Sequence, residues 1–293
     1  MSTEARAFGV ARHENTEQAK LKCPDVCVLR YPRRKDDPEK PDITIHKKGT
    51  QELLEATQSF CNGVDPVEIR PWLEANGSDE IYLDVTALAD FLYMKSDPSF
   101  NDLLIQSGEI DSLKYKFMIE TEAGPVSAVQ FTPKRDEEIR LYYGLQIAAK
   151  LVQLIKEKTA LKASAGIGHN KLQAKLACGV HKPMALTVIL PSAFEEVSKR
   201  IEIPKVPGLG GVAGKAILEQ LEVVVNEGDG DGDGPTTGKR PVQYLWDLRS
   251  FTSDQIAELY TDEAKIKLVG SKNAGKIYRA VHGICESIIP KPK

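Results

Sequence analysis

Asp79 and Glu80 are adjacent carboxylates at the head of the run DEIYLDV. Two hard oxygen ligands at a strand end suit a magnesium ion whose shell is completed by water and phosphate oxygens. Phosphoryl transfer by two such ions needs carboxylates that hold them about 4 Å apart, across the attacking and leaving oxygens. As a bare dipeptide, Asp-Glu is equally a solvated strand end. The second candidate is block 164–183, SAGIGHNKLQAKLACGVHKP, which carries three lysines and no acid. It reads as a strand running into a short basic helix, with His169, Asn170 and Lys171 at one end and His181, Lys182 and Pro183 at the other. A helix N-terminus after a strand, with a lysine just past the helix C-terminus, is one way to seat a polyphosphate or a nucleic acid on backbone amides and ammonium groups. The competing reading is an amphipathic helix whose lysines are only solvated.

Two weaker signals accompany these. Gly208, Gly210 and Gly211 form a glycine-rich turn ahead of Lys215 and a helical run to Leu221. Amides in such a turn hold a DNA backbone phosphate in some proteins and close a plain connection in others. Near the N-terminus, Arg6 and Arg12 stand six apart. His169 and His181 have the chemistry of general bases, but neither has a fixed acidic neighbour in sequence. The repeat GDGDGDG has the spacing of a calcium loop, yet the twelfth position from Asp229 is Arg240 where a bidentate Glu is required. Nor does Gly238-Lys239 complete a phosphate-binding loop, since Asp233 and Arg240 occupy its first and last positions.

The elements that must position these residues are those of a mixed α+β chain. A helix is predicted near Asn15 to Lys22, stopped by Pro24, followed by a small strand over Val26 to Leu29. Arg33 to Lys48 is charged and proline-punctuated, as a surface connection would be. Gln51 to Phe60 recurs on one face as a helix, and Asp79 to Val85 alternates as a half-buried strand. Phe91 to Arg140 shows no sustained period and reads as a long excursion with weak structure. Leu145, Ala148, Ala149 and Val152 give the stripe of a helix over Leu141 to Thr159 that packs on a sheet. A third strand is predicted over Leu186 to Leu190, then a helical region with glycine turns at Pro207–Gly214 and Gly270–Gly275. Asn226 to Gly238 is a low-complexity insertion, expected as a mobile loop.

With 293 residues, 41% hydrophobic and 28% charged, the chain has the composition of a globular protein with two or three compact units. No apolar run approaches the length of a bilayer span, and an intracellular setting is expected. Cys23, Cys27, Cys61, Cys178 and Cys285 are scattered and odd in number, which points to reduced thiols. A net charge of -3 argues against indiscriminate binding to nucleic acid but leaves room for a local basic groove.

Taken together, GSDEIYLDVT, the block SAGIGHNKLQAKLACGVHKP and the opening EARAFGVAR with its continuation CPDVCVLR resemble the Y-family translesion DNA polymerases, in particular the eta branch. Asp79, Glu80, Tyr82, Asp84 and Thr86 match the palm pattern S-I-D-E-x-Y-x-D-L-T, with Gly77 and Ser78 departing from it, and Thr3 stands where the family has tyrosine. The resemblance implies a right-hand polymerase fold: partial fingers over 1–35, a palm over 36–189 and a helical thumb over 190–293 with an insertion at 226–238. In the thumb, Pro207–Gly214 is similar to the family's helix-hairpin-helix, so Gly208, Gly210, Gly211 and Lys215 would contact DNA. Arg6, Arg12 and Lys182 would bind the incoming nucleotide, and Asp79 and Glu80 would be catalytic ligands of two Mg2+ ions.

The same resemblance implies primer-template DNA and deoxynucleoside triphosphates as partners, a sliding clamp in the full-length protein, no membrane, and residence in the nucleus. The family's first palm strand, H-x-D-x-D-x-F-Y, and its little finger have no counterpart here, which leaves half of each metal's protein charge. Weak Mg2+ coordination and little or no primer extension by this chain alone are therefore expected. The alternative is a non-catalytic DNA-binding or interaction module derived from such a polymerase.

Overall fold

The computed structural model describes residues 3–11, 14–29, 32–95, 115–128, 131–227, 236–257 and 278–279. The chain resolves into two compact units, Met1–Glu55 and Ala56–Lys293. In the first, helix α1 spans Thr3–Ala7 and α2 spans Thr16–Lys22. Asn15 caps α2: its Oδ1 accepts from the Gln18 amide at 2.8 Å, and the Gln18 side chain accepts from the Asn15 amide at 3.2 Å. Ala5, Val10, Ala19 and Cys23 form a small core of their own. Val26 to Leu29 is irregular rather than a strand. Helix α3, Thr44–Asn62, begins earlier than expected and takes in the end of the charged connection.

In the second unit, β1 (Trp72–Ala75) and β2 (Ile81–Asp84) make an antiparallel pair. Helix α4 follows over Thr86–Met94, its start turned by the Asp84 Oδ1 that accepts from the Thr86 amide at 3.0 Å. A four-stranded sheet has the order β4-β3-β6-β5, with β3 Lys116–Thr121, β4 Gly124–Ser127, β5 Ala165–Ile167 and β6 Ala185–Ile189. β6 lies parallel to both β3 and β5, while β4 returns antiparallel on β3. The expected weak excursion over 91–140 is thus corrected: it holds the end of α4, the strands β3 and β4 and the first turn of α5; residues 96–114 lie outside the described residues. Its polar look arises from residues such as Glu120, a carboxylate on a strand that is nonetheless fully buried.

Helix α5, Asp136–Thr159, has three acids in its first turn and Lys156 and Lys158 in its last, which suits the helix dipole at both ends. Its buried stripe, including Leu145, Ala149 and Val152, packs with Ile119, Leu186, Val188 and Ile189 of the sheet. Helix α6, Lys171–Val180, lies directly on β5. The later segment comprises α7 (Phe194–Ser198), α8 (Val212–Gln220), the antiparallel strands β7 (Glu222–Glu227) and β8 (Thr236–Pro241), and α9 (Ser253–Ala257). Ile203, Leu209, Ile217, Leu245 and Leu248 are fully buried here and belong to the same core as the sheet. The expected loop at 226–238 has paired ends, because Asn226 and Glu227 face Thr237 and Thr236 across the β7–β8 ladder. Residues 228–235, the turn at Gly270–Gly275 and Cys285 lie outside the described residues; Cys23, Cys27, Cys61 and Cys178 are free thiols.

Candidate nucleotide and metal site

Asp79 and Glu80 sit on the turn between β1 and β2, just ahead of the strand rather than within it. The turn is closed by the Asn76 amide, which donates to the Glu80 carbonyl at 2.8 Å, and Gly77 supplies the left-handed residue at φ 81 that the reversal needs. Asp79 is exposed, and its carboxylate has no hydrogen-bond or ion-pair partner among the described residues. Glu80 is half-buried and both its oxygens are engaged: Oε1 by the Lys175 ammonium and Oε2 by the Asn76 amide group at 3.0 Å. Two adjacent carboxylates fit magnesium, which binds through one or two protein carboxylates and otherwise through water and phosphate oxygens. Among the described residues no group of three or more His, Cys, Asp or Glu stands ready to hold a metal ion.

Helix α6 supplies the basic side. Lys171 and Lys175 are spaced by four, which places them on one face of the helix, and Lys182 follows its C-cap residue His181. Lys171 pairs with Glu74 of β1 at 2.6 Å and lies over the Tyr82 ring at 4.9 Å, so the helix is bolted to the β1–β2 hairpin at two turns. Lys182, just past the end of α6, is exposed and has no ion-pair partner among the described residues. The N-terminal end of α6 is less open than its sequence implies. Asn170 Oδ1 accepts from the Gln173 amide at 2.9 Å, and the Gln173 side chain accepts from the His169 amide at 3.1 Å. Of the two ends of the block, only Lys182 is therefore free for an anion.

His181 is a structural residue. Its Nε2 lies 3.2 Å from the fully buried Glu120 and its Nδ1 lies 3.3 Å from the Thr187 hydroxyl, while Arg200 donates to the other Glu120 oxygen at 2.7 Å. Burial pushes the His181 pKa below its ordinary 6.5, with Arg200 and Lys116 adding to that direction and Glu120 opposing it. A histidine kept neutral in the fold stabilises fully above about pH 6.5; that stability is lost as pH falls, because the unfolded chain takes up the proton first. The melting temperature is therefore expected to fall between pH 7 and pH 5.5, and His181→Asn to reduce that slope, as followed by circular dichroism.

In the glycine turn, Gly208 adopts φ 86 and the Leu209 amide donates to the Val206 carbonyl at 2.9 Å. Gly210 and Gly211 are exposed, Gly211 precedes α8, and Lys215 is exposed on its first turns. A single 3-10 turn, Ile203–Lys205, precedes the glycine turn. Arg6 is exposed on α1 in the first unit, and Arg12 lies outside the described residues. Lys175, Glu74, Glu120 and Arg200 carry no sequence motif that marks them as site residues. The four-residue spacing of Lys171 and Lys175 was the available sign of a shared face; their acidic partners lie 95 or more positions away.

A model described as the impB/mucB/samB family matches residues 1–179. The chain belongs to the impB/mucB/samB family. As a member of that family it is similar to DNA polymerase eta of Drosophila melanogaster, at 26% identity over 75% of this chain and 25% of that protein. DNA polymerase eta of Arabidopsis thaliana is 28% identical over 76% of this chain and 32% of its own length. Human DNA polymerase iota is 28% identical over 75% and 25%. The chain thus spans about a quarter to a third of the length of these relatives.

Among solved structures, a DinB family error-prone DNA polymerase from Sulfolobus solfataricus superposes with a TM-score of 0.56 at 16% identity, covering 98% of this chain and 58% of that one. The insertion ternary complex of Dbh DNA polymerase gives 0.57 at 17%, covering 98% and 56%. At these identities the likeness is one of fold: this impB/mucB/samB chain has the mixed α+β architecture, with a palm-like sheet, of the Y-family polymerases.

Proposed function

We propose that this chain is part of the catalytic core of a DNA-directed DNA polymerase that inserts nucleotides opposite damaged template bases. The observation that carries the reading is the pairing of an acidic turn, Asp79-Glu80, with the basic helix α6 through Lys175, and the unpaired Lys182 just past that helix's C-terminus. Divalent ions at Asp79 and Glu80 would supply charge stabilisation at the attacking and leaving oxygens of phosphoryl transfer. Lys182 would bind the triphosphate as a mobile point charge, with Arg6 and Arg12 as further nucleotide contacts. Gly208, Gly210, Gly211 and Lys215 would hold a phosphate of the primer-template DNA. On this reading 1–35 are fingers, 36–189 palm and 190–293 thumb, and the similarity to eta and iota polymerases supports a nuclear protein that meets a sliding clamp in its full-length form.

Primer extension in Mg2+ by the native protein that carries this chain tests the proposal. Asp79→Ala is expected to lower the rate by at least about a hundredfold, since metal stabilisation of the transition state is worth several kcal/mol. DNA binding without synthesis, or synthesis indifferent to Asp79, would favour the alternative of a non-catalytic DNA-binding module. That alternative is supported by one observation: Glu80 already has partners on both oxygens.

A further inference from the structure

The two lysines that fasten α6 to the β1–β2 hairpin are not equivalent. Lys171 and Glu74 are 19% and 25% exposed, and the ammonium also lies over Tyr82. Lys175 and Glu80 are 31% and 38% exposed, and their pair sits at the acidic turn itself, next to the unpartnered Asp79. The first is an anchor. The second is a more solvated ion pair, cheap to break, at a carboxylate that a cation would also claim.

We propose that Lys175 is a positioning residue that holds Glu80 in a fixed rotamer in the metal-free protein and yields it when a divalent or trivalent cation binds at Asp79 and Glu80. This rests on the reading of those two carboxylates as a metal pair. With Asn76 on Oε2 and Lys175 on Oε1, Glu80 is kept from swinging into solvent and from collapsing onto other basic groups. The cation therefore meets one free carboxylate first, at Asp79, and completes its protein ligands by displacing an ammonium. The consequence is a competition whose sign is fixed: removing the Lys175 charge removes the competitor, whereas removing the Lys171 charge loosens the anchor without freeing Glu80.

The test is Tb3+ binding to the whole chain at low ionic strength, read as luminescence sensitised by the hairpin aromatics Trp72 and Tyr82, without nucleotide or DNA. Lys175→Met and Lys175→Gln are expected to bind Tb3+ about threefold tighter than wild type, the factor set by the worth of a partly exposed ion pair. Lys175→Arg, which keeps the pair, and Lys171→Met are expected to match wild type. Tb3+ affinity unchanged or weakened in both Lys175→Met and Lys175→Gln, with Asp79→Asn still abolishing the signal, would overturn the role of Lys175 alone. Equal tightening by Lys171→Met would also overturn it, since a diffuse charge effect would then suffice. A signal indifferent to Asp79→Asn would instead remove the metal reading of the turn, and this inference with it.

Discussion

Gly166→Ala is expected to cost more than about 3 kcal/mol and to lower the melting temperature of the second unit by roughly 10 °C. A Cβ at this position would stand 2.0 Å from the Ala174 carbonyl oxygen and 2.2 Å from the Cys178 amide nitrogen. Both are backbone atoms of α6, so no side-chain rotation relieves the clash; β5 and the helix would have to separate. The separation would reach the site, because α6 carries Lys171 and Lys175 and leads directly into Lys182. On the other side, a Cβ built on Gly144 of α5 would stand 3.0 Å from Cγ2 of Ile167, the next residue of β5, so the strand fits closely there too. Thermal denaturation followed by circular dichroism measures the effect, and an unchanged melting temperature would mean that β5 and α6 are not in the contact described.

The second large effect concerns the buried carboxylate on β3. Glu120 is 0% exposed while its partner Arg200 is 49% exposed, so the two ends of the ion pair differ in what is left behind when one is removed. Arg200→Leu strands a charge inside the core and is expected to cost about 3 kcal/mol, the lower end of the range for broken buried pairs, because His181 remains beside Glu120. Glu120→Leu leaves an arginine that reaches water and is expected to cost less than about 1 kcal/mol. The asymmetry, read by urea denaturation, is the test; equal costs would show that Glu120 is less secluded than the structure has it. Since Arg200 is one of the groups that depress the His181 pKa, Arg200→Leu should also flatten the loss of stability below pH 6.5.

Much of the architecture was legible in the residues. The helix expected over Leu141 to Thr159 declared itself through a sustained apolar stripe and starts a turn earlier, at Asp136, and the strand-helix-strand block showed through its short apolar runs around a basic helix. The acidic turn was legible as chemistry, though the strand begins two residues later than the alternation implied. What was hidden is non-local. β3 is buried in the middle of a mixed sheet, and its Glu120 breaks the apolar signal; the cation that compensates it is 80 positions away. The β7–β8 ladder was hidden for a different reason, since low-complexity residues at 226–238 carry little strand propensity and the pairing is set by Val223 opposite Arg240 and Val224 opposite Lys239 further out. At the site, Lys175 was visible only as one lysine of a basic helix, and its engagement with Glu80 is a fact of tertiary packing.

The family membership and the fold leave one claim at the centre: that the turn at Asp79-Glu80 and Lys182 together seat a nucleoside triphosphate. Equilibrium binding of a fluorescent deoxynucleoside triphosphate to this chain in Mg2+ tests it most directly. Asp79→Ala and Lys182→Ala are each expected to weaken binding by about tenfold, the loss of one charge-assisted contact, and wild-type binding should fall when Mg2+ is withdrawn. Equal affinity in wild type and both variants, with no dependence on Mg2+, would contradict the account.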